Sequence, residues 1–504
     1  MKRQIKYLWA LGLSIFISSP AFAQIPAVEQ LRDVRATDWA FAALQSLAQR
    51  YGCITGYPDG TYRGDRSVTR YEFAVALNSC LNSITELTAS GNIAPEDVST
   101  LQKLQQYFGN ELAILRGRVD GLQARTTDLE AQQFSTTTKL TGQGIFAFNA
   151  GGFEGERIID PNGLKVTDDN PNATTLYRIA LDFNSSFIGT DLLKIRIDTG
   201  SNGGNDNATG FLEPNLGSVL DYSVKPPSDG NFGIARLFYS FQPIEGVRVS
   251  IGPDMRISDY IDRNSYANLS FRDFSTQALI NNFILLPLDG PVAGANIEWQ
   301  LKSIPLALRA TYGASDAANP GDKSQPIRGV ASFSRLIYSN TGSLGDRGLF
   351  GATYQGAIEL EYLPIESLAL RVQYAGGEVF DNRFDAFGVN AEWTIIPQVA
   401  IFGRYGFATY ADTAFDKLHP DYWMAGIAFP DLIKPGATGA IAISQPFIES
   451  EIGNATQLNF EAYYNFPFSE NISLTPTFQV VSNAANQDDN GTIYSGTLRT
   501  VFSF

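Results

Sequence analysis

Apolar and polar side chains alternate, strand after strand, from residue 139 to Phe504. In Leu193-Lys194-Ile195-Arg196-Ile197-Asp198 the three aliphatic residues point one way and the three charges the other. Tyr177/Ile179/Leu181/Phe183 oppose Arg178/Asp182/Asn184, and Leu368/Leu370/Val372/Tyr374 oppose Arg371/Gln373. Leu458/Phe460/Ala462/Tyr464/Phe466 oppose Asn459/Glu461/Asn465 in the same way. A soluble sandwich also alternates, but its apolar face must meet a second sheet, and no separate set of apolar elements is available to cover this one. A closed barrel with lipid outside and water inside satisfies both faces. The expected fold class is therefore mainly β, a transmembrane antiparallel β-barrel of about 16 strands over residues 139–504.

The punctuation between these strands has two lengths. Short connections recur at Phe187-Ile188-Gly189-Thr190-Asp191, Gln242-Pro243-Ile244-Glu245-Gly246, Leu363-Pro364-Ile365-Glu366, Ile395-Ile396-Pro397-Gln398 and Phe466-Pro467-Phe468-Ser469. Long Gly/Asn/Asp-rich stretches lie near 151–174, 200–230, 256–290, 314–348 and 409–420. Tight turns on one rim and long loops on the other suit an outer-membrane barrel. By phase, Arg178, Lys194, Arg196, Arg236, Arg248, Arg309, Arg371, Arg404 and Arg499 fall on the polar face, with Asp182, Asp198, Glu298, Glu359, Glu361, Glu392 and Glu461. Opposed basic and acidic walls would set a transverse field across a wet pore. The competing reading is that the charges pair into ladders that only hold the wall. The stretches 200–230 and 256–290 are the candidates for a loop that folds inward to narrow the lumen.

The first 136 residues differ in character. Lys2, Arg3 and Lys6, an apolar run from Leu8 to Ile17, and Ala21-Phe22-Ala23 read as a secretory signal over 1–23, with the mature chain starting near Gln24. The run is too short for a spanning helix of about 20 apolar residues. Residues 24–88 predict two capped helices, through Trp39, Phe41, Leu44 and Leu47 and through Phe73, Val75, Leu77 and Leu81, separated by the turn Tyr57-Pro58-Asp59-Gly60-Thr61. Over 92–136, Leu101, Phe108, Leu115, Leu122 and Leu129 recur every seven residues, with Val98, Leu112, Val119 and Thr126 as companions. Such heptads predict a coiled-coil helix, and no neighbouring module offers it an obvious helical surface, so self-association is expected.

Charge and composition narrow the function class. The net charge of −15, from 52 acidic and 37 basic residues, argues against nucleic acid as a partner. The two cysteines, Cys53 and Cys80, can pair after export or remain two buried thiols in a small helical domain. The single histidine, His419, stands beside Pro420, which leaves little for a Ser–His triad or a zinc site. The chain is accordingly expected to be no enzyme and to need no cofactor or metal.

Two resemblances sharpen this picture. Leu31-Arg32-Asp33-Val34, Trp39-Ala40, Gly56-Tyr57-Pro58-Asp59-Gly60-Thr61-Tyr62-Arg63 and Thr69-Arg70-Tyr71-Glu72 resemble a surface-layer homology (SLH) domain. Tyr62, Gly64 and Tyr71 stand where that family usually has Phe, Pro and Ala. The resemblance implies binding to peptidoglycan or its attached polysaccharide through Arg70, Thr69, Glu72, Trp39, Asp59 and Gly60. A guanidinium at Arg70 suits a wall carboxylate, while Trp39 reads more simply as core. Signal, SLH domain, coiled coil and a barrel ending in an aromatic strand, Tyr494–Phe504, together resemble the cyanobacterial SLH-bearing porins of the carbohydrate-selective (OprB-like) family, also labelled iron uptake porins. That resemblance implies a homotrimer in outer-membrane lipid, with a periplasmic SLH domain and coiled coil, passing small solutes and ions. The alternative reading of the residues is a structural tether between membrane and wall whose barrel is closed.

Overall fold

The structure is a computed structural model. It describes residues 39–51, 73–78, 80–81, 95–109 and 137–504, apart from 228, 302–303, 316, 322–328, 339–346 and 352. The chain divides into two compact units, residues 1–133 and 134–504.

In the first unit, α1 (Trp39–Tyr51) and α2 (Pro95–Tyr107) are described together with helical residues 73–78 and 80–81. Pro95 is preset for a first helical turn, and Glu96 and Asp97 face that turn's unpaired N–H groups. Leu101, Leu104 and Phe108 form a stripe at helical spacing and are buried in one cluster with Phe41, Leu47, Phe73, Leu77 and Cys80. The Phe73 and Phe108 rings stack at 4.5 Å. At their start, the heptad positions Leu101 and Phe108 thus meet a surface of their own chain. The stripe runs through Leu104, which is off the heptad seam, while Val98 of the seam is exposed, so this helix buries itself on its own chain. Residues 110–136, and with them the rest of the expected coiled coil, lie outside the described residues. Among the described residues no cysteine is free, and Cys53 is not among them.

The second unit is a closed antiparallel barrel of 16 long strands. In chain order they are β1 (Thr138–Phe153), β2 (Thr174–Ser185), β3 (Leu192–Gly200), β4 (Gly233–Ile244), β5 (Val247–Met255), β6 (Val292–Leu301), β7 (Leu306–Ala314) and β8 (Tyr354–Ile365). They continue as β9 (Leu368–Val379), β10 (Asn382–Ile396), β11 (Val399–Thr413), β12 (Asp421–Pro430), β13 (Thr438–Ile448), β14 (Leu458–Pro467), β15 (Ile472–Ser482) and β16 (Ile493–Ser503). Each pairs with its sequence neighbours, and β1 pairs with both β2 and β16, so no edge is left open. Closure is finished by Phe504, whose N–H and C=O bond the C=O and N–H of Gly142 at 3.0 and 2.7 Å. A Cβ at Gly142 would stand 2.2 Å from the Phe504 ring, so glycine makes room for it.

The alternation is realised as read. Phe146, Phe148, Val372, Phe387, Tyr405 and Leu498 point outward, while Ile145, Asn149, Gln373, Asn390, Arg404 and Arg499 are buried inside. The rim where Thr138 begins carries the short turns, such as Glu245-Gly246, in which Gly246 takes a φ of 84°. The opposite rim carries the long segments 154–173, 201–232, 256–291 and 315–353. One connection on that rim is shorter than the sequence suggested, and another, of which the sequence reading said nothing, is a two-residue turn. Residues through Thr413 continue β11, leaving a tight loop up to Pro420, and β9 turns into β10 through Phe380 and Asp381 alone. Both of those have positive φ, 51° and 68°, the geometry that matches the twist of two hairpin strands.

Candidate functional site

Segment 256–291 folds into the barrel and is tied to the walls from β8 round to β16. Its centre is Asp262, with φ of 58° and no exposure. Asp262 Oδ1 accepts from Arg404 Nε of β11 at 2.9 Å and Asn390 Nδ2 of β10 at 2.9 Å, and its N–H donates to Glu359 Oε2 of β8 at 2.7 Å. Arg404 spends its other donors on the carbonyls of Asp262, Ala267 and Leu279. Farther along, the N–H of Ser275 and Thr276 donate to Glu461 of β14, and Arg499 of β16 donates to the carbonyls of Ser270 and Asp273. Tyr410 and Tyr422 close the set by donating to the carbonyls of Ile284 and Ala278. A buried backbone without partners is costly, so these wall side chains stand in for the sheet partners a loop lacks. Between the polar ties, Leu279, Ile280, Phe283, Ile284, Leu285 and Leu286 join the main hydrophobic core of the barrel interior.

Segment 201–232 also folds inward, through short helices at Gly203–Asp206, Ala208–Leu212 and Asp221–Val224. Glu213, fully buried, accepts from the N–H groups of Asn215, Leu216 and Ser218 and from Gln457 Nε2. Tyr222 lies with its ring 5.6 Å from the Arg499 guanidinium.

The wall charges divide into two sets. On β6 to β10 they form a ladder. Arg309 bonds Glu298, Glu359 and Glu361 at 3.1, 2.7 and 2.8 Å, and Arg371 bonds Glu361 and Glu392 at 2.6 and 3.1 Å. Ser265 donates its N–H and hydroxyl to Glu392, so segment 256–291 covers this acidic stretch. On β2 to β4 the set is basic and open. Arg178, Lys194, Arg196 and Arg236 line a cavity of about 440 Å³, completed by Lys225 and Asp221 of one inward segment and Asp259, Tyr260 and Arg263 of the other. Asp198 backs Arg178 at 2.6 Å, and Asp182 backs Lys194 and Arg196 at 3.0 and 2.6 Å.

The sequence-predicted residues therefore all face the interior, but in different surroundings. The partly exposed Lys194 and Arg196 and the buried Arg178 and Arg236 line the cavity, with Asp182 and Asp198 behind them. Arg309, Arg371, Arg404, Arg499, Glu359, Glu361, Glu392 and Glu461 are buried under the inward segments. Arg248, exposed on β5, stands in register with Glu298 near the short-turn rim. Sequence reasoning missed Asp262, Asp259, Arg263, Lys225 and Asp221, all in loops. The signal was present in Ala278-Leu279-Ile280 and Phe283-Ile284-Leu285-Leu286, which are too apolar for an exposed loop. In the first unit, Trp39 is half exposed and meets the Tyr107 ring edge-on at 5.7 Å, so it is not the core residue expected. Arg70, Thr69, Glu72, Asp59 and Gly60 lie outside the described residues. Among the described residues no three His, Cys, Asp or Glu side chains gather as a metal site.

Comparison with known proteins accounts for both units. A protein of Nostoc sp., alr4550, itself uncharacterized, is 35% identical over 96% of this chain and 86% of its own. The outer membrane protein SlpA of Deinococcus radiodurans is 39% identical over 99 residues, which is 20% of this chain and 8% of that one. In fold, the barrel is similar to Pseudomonas putida OprB, with a TM-score of 0.54 at 12% identity over 73% of this chain and 94% of that one. Residues 30–74 match the S-layer homology domain, and residues 95–504 match the carbohydrate-selective porin, OprB family. The chain belongs to the OprB porin family, an outer-membrane β-barrel that carries an N-terminal SLH domain.

Proposed function

We propose that this porin is an open, passive pore for small hydrophilic solutes, inorganic ions first among them, and that its SLH domain holds it to the peptidoglycan or its attached polysaccharide. The observation that carries the reading is the cavity of about 440 Å³ between β2–β4 and the two inward segments. Its lining is largely charged and polar, as a wetted passage requires. A barrel of this size encloses more space than wall side chains fill, so only inward loops narrow it. Sugars and iron remain the cargoes that the family labels name. The proposed assembly is a homotrimer in outer-membrane lipid. Family and fold point to a channel rather than a catalyst. Liposome swelling tests the reading. Proteoliposomes should swell in isotonic solutions of small solutes faster than protein-free ones, and equal rates would contradict it.

The second reading, a tether with a closed barrel, is favoured by one observation: segment 256–291 spans the interior and is tied on many sides. A closed barrel would leave swelling at the lipid background.

A further inference from the structure

Segment 256–291 covers the acidic wall and leaves the basic wall open. From this we infer that the passage prefers small anions; the inference rests on the pore reading above and specifies its cargo.

Six cations reach the open cavity: Arg178, Lys194, Arg196, Lys225, Arg236 and Arg263. Four carboxylates neutralise them, Asp182, Asp198, Asp221 and Asp259, which leaves two positive charges in excess. Depth adds to the count. The side chains of Lys194 and Arg196 are 24% and 22% exposed, whereas those of Asp182 and Asp198 are 10% and 0% exposed. The acids stand behind the cations, so a passing ion meets the guanidinium and ammonium groups first. Asp259 is the exposed exception, and it is held by Arg236.

Arg196 and Arg236 are direct register partners on β3 and β4. Like charges in register repel, and the strands tolerate them because each arginine has its own carboxylate. Arg263 is the least compensated. It is exposed, its bonds go to the Asp259 carbonyl, and among the described residues it pairs with no carboxylate.

Two further observations agree. The acids of the opposite wall are turned away from the passage: Glu359 accepts the N–H of Asp262, and Glu392 accepts the N–H and hydroxyl of Ser265. A second cavity, of about 300 Å³, shares Lys225 with the first and sets Arg256 beside Asp289. Burial pushes the Asp289 carboxyl up, which weakens that acid further.

A surplus held in a low-dielectric constriction produces a potential of several kT. The Debye length is about 10 Å at 0.1 M salt and about 3 Å at 1 M, so the preference should fade in concentrated salt.

The test is the reversal potential of purified full-length protein in a planar bilayer under a KCl gradient centred near 0.1 M. The expected result is a reversal potential on the chloride side, a several-fold preference, that shrinks in molar salt. Arg263→Glu should move it towards potassium, and Arg263→Gln should move it part of the way. Both changes are at an exposed, unpaired side chain, so folding should survive them, and current steps will show that it has. Open channels with no preference, or with a potassium preference, would overturn this inference and leave the pore reading intact. Silent bilayers would overturn the pore reading itself, and this inference with it.

Discussion

Arg404 and Asp262, 142 residues apart in sequence, form an ion pair with both side chains completely buried, Nε to Oδ1 at 2.9 Å. The pair joins the wall strand β11 to the segment that narrows the barrel. Removing one member of a buried pair leaves an uncompensated charge and costs about 3–5 kcal/mol. Arg404→Ala should therefore release segment 256–291 while the barrel, held by its closed ladder of strands, persists. Larger, noisier current steps and faster trypsin cleavage after Arg256, Arg263 or Arg272 are the expected signs. Asp262→Asn, which keeps most of the hydrogen bonds, should act in the same direction more weakly. Steps of unchanged size and unchanged proteolysis in Arg404→Ala would show that the pair does not hold the segment.

Asp191 ties the turn between β2 and β3. It accepts from the N–H groups of Phe187 and Ile188 at 2.9 Å each, and from the hydroxyls of Ser186 and Tyr239 at 2.8 and 2.9 Å. Burial pushes its carboxyl up, but these donors outweigh burial and hold it down to about 2. A depressed folded value stabilises above the unfolded value, near 3.9, and that stabilisation is lost as pH falls through the folded value. The thermal-stability gap between wild type and Asp191→Asn should thus be constant from neutrality to about pH 4 and shrink between about 4 and 2. A gap that ignores pH across this window would refute the assignment.

For the wall anchor we expect Arg70 to carry much of the binding to purified sacculi. Loss of one charge-assisted hydrogen bond costs about 1.5–3 kcal/mol, or roughly a tenfold to hundredfold drop in affinity. A sacculus pull-down with Arg70→Ala checks this, with Trp39→Ala beside it, because the half-exposed Trp39 is available to a glycan. Full binding by Arg70→Ala would remove that residue from the account.

Native mass measurement in detergent should give three chains. The number comes from the family resemblance; the described part of the heptad segment does not supply it, since Leu101, Leu104 and Phe108 are buried within their own chain. A monomer would refute the trimer. A trimer that survives deletion of 110–136 would place its contacts in the barrels.

What was legible in the sequence and what was not divides on the distance over which an interaction acts. Strand alternation is local, so the sequence places Arg196 and Arg404 alike on the polar face. Their opposite fates, one beside open space and one fully buried, depend on where residues 256–291 cross the interior, and no period in the sequence records that path. The hairpin at Phe380-Asp381 was missed because a bulky aromatic at positive φ carries no turn signal; tertiary packing of Phe380 against the Tyr338 ring, at 6.2 Å, accompanies it. The heptads were read as a self-associating seam because no neighbouring module offered an obvious helical surface; Phe73 and Leu77, which pack with Leu101, Leu104 and Phe108, come from elsewhere in the same unit. The loop acids and bases, Asp262, Asp259, Arg263 and Lys225, had no periodic neighbours to set their direction.

The central claim is that the barrel conducts. Purified full-length protein added to a planar lipid bilayer in KCl should give discrete, reproducible upward current steps, each the opening of an inserted pore. Protein that inserts, as judged by co-floatation with the lipid, yet leaves the current at its baseline would contradict the claim and make the closed tether the better account.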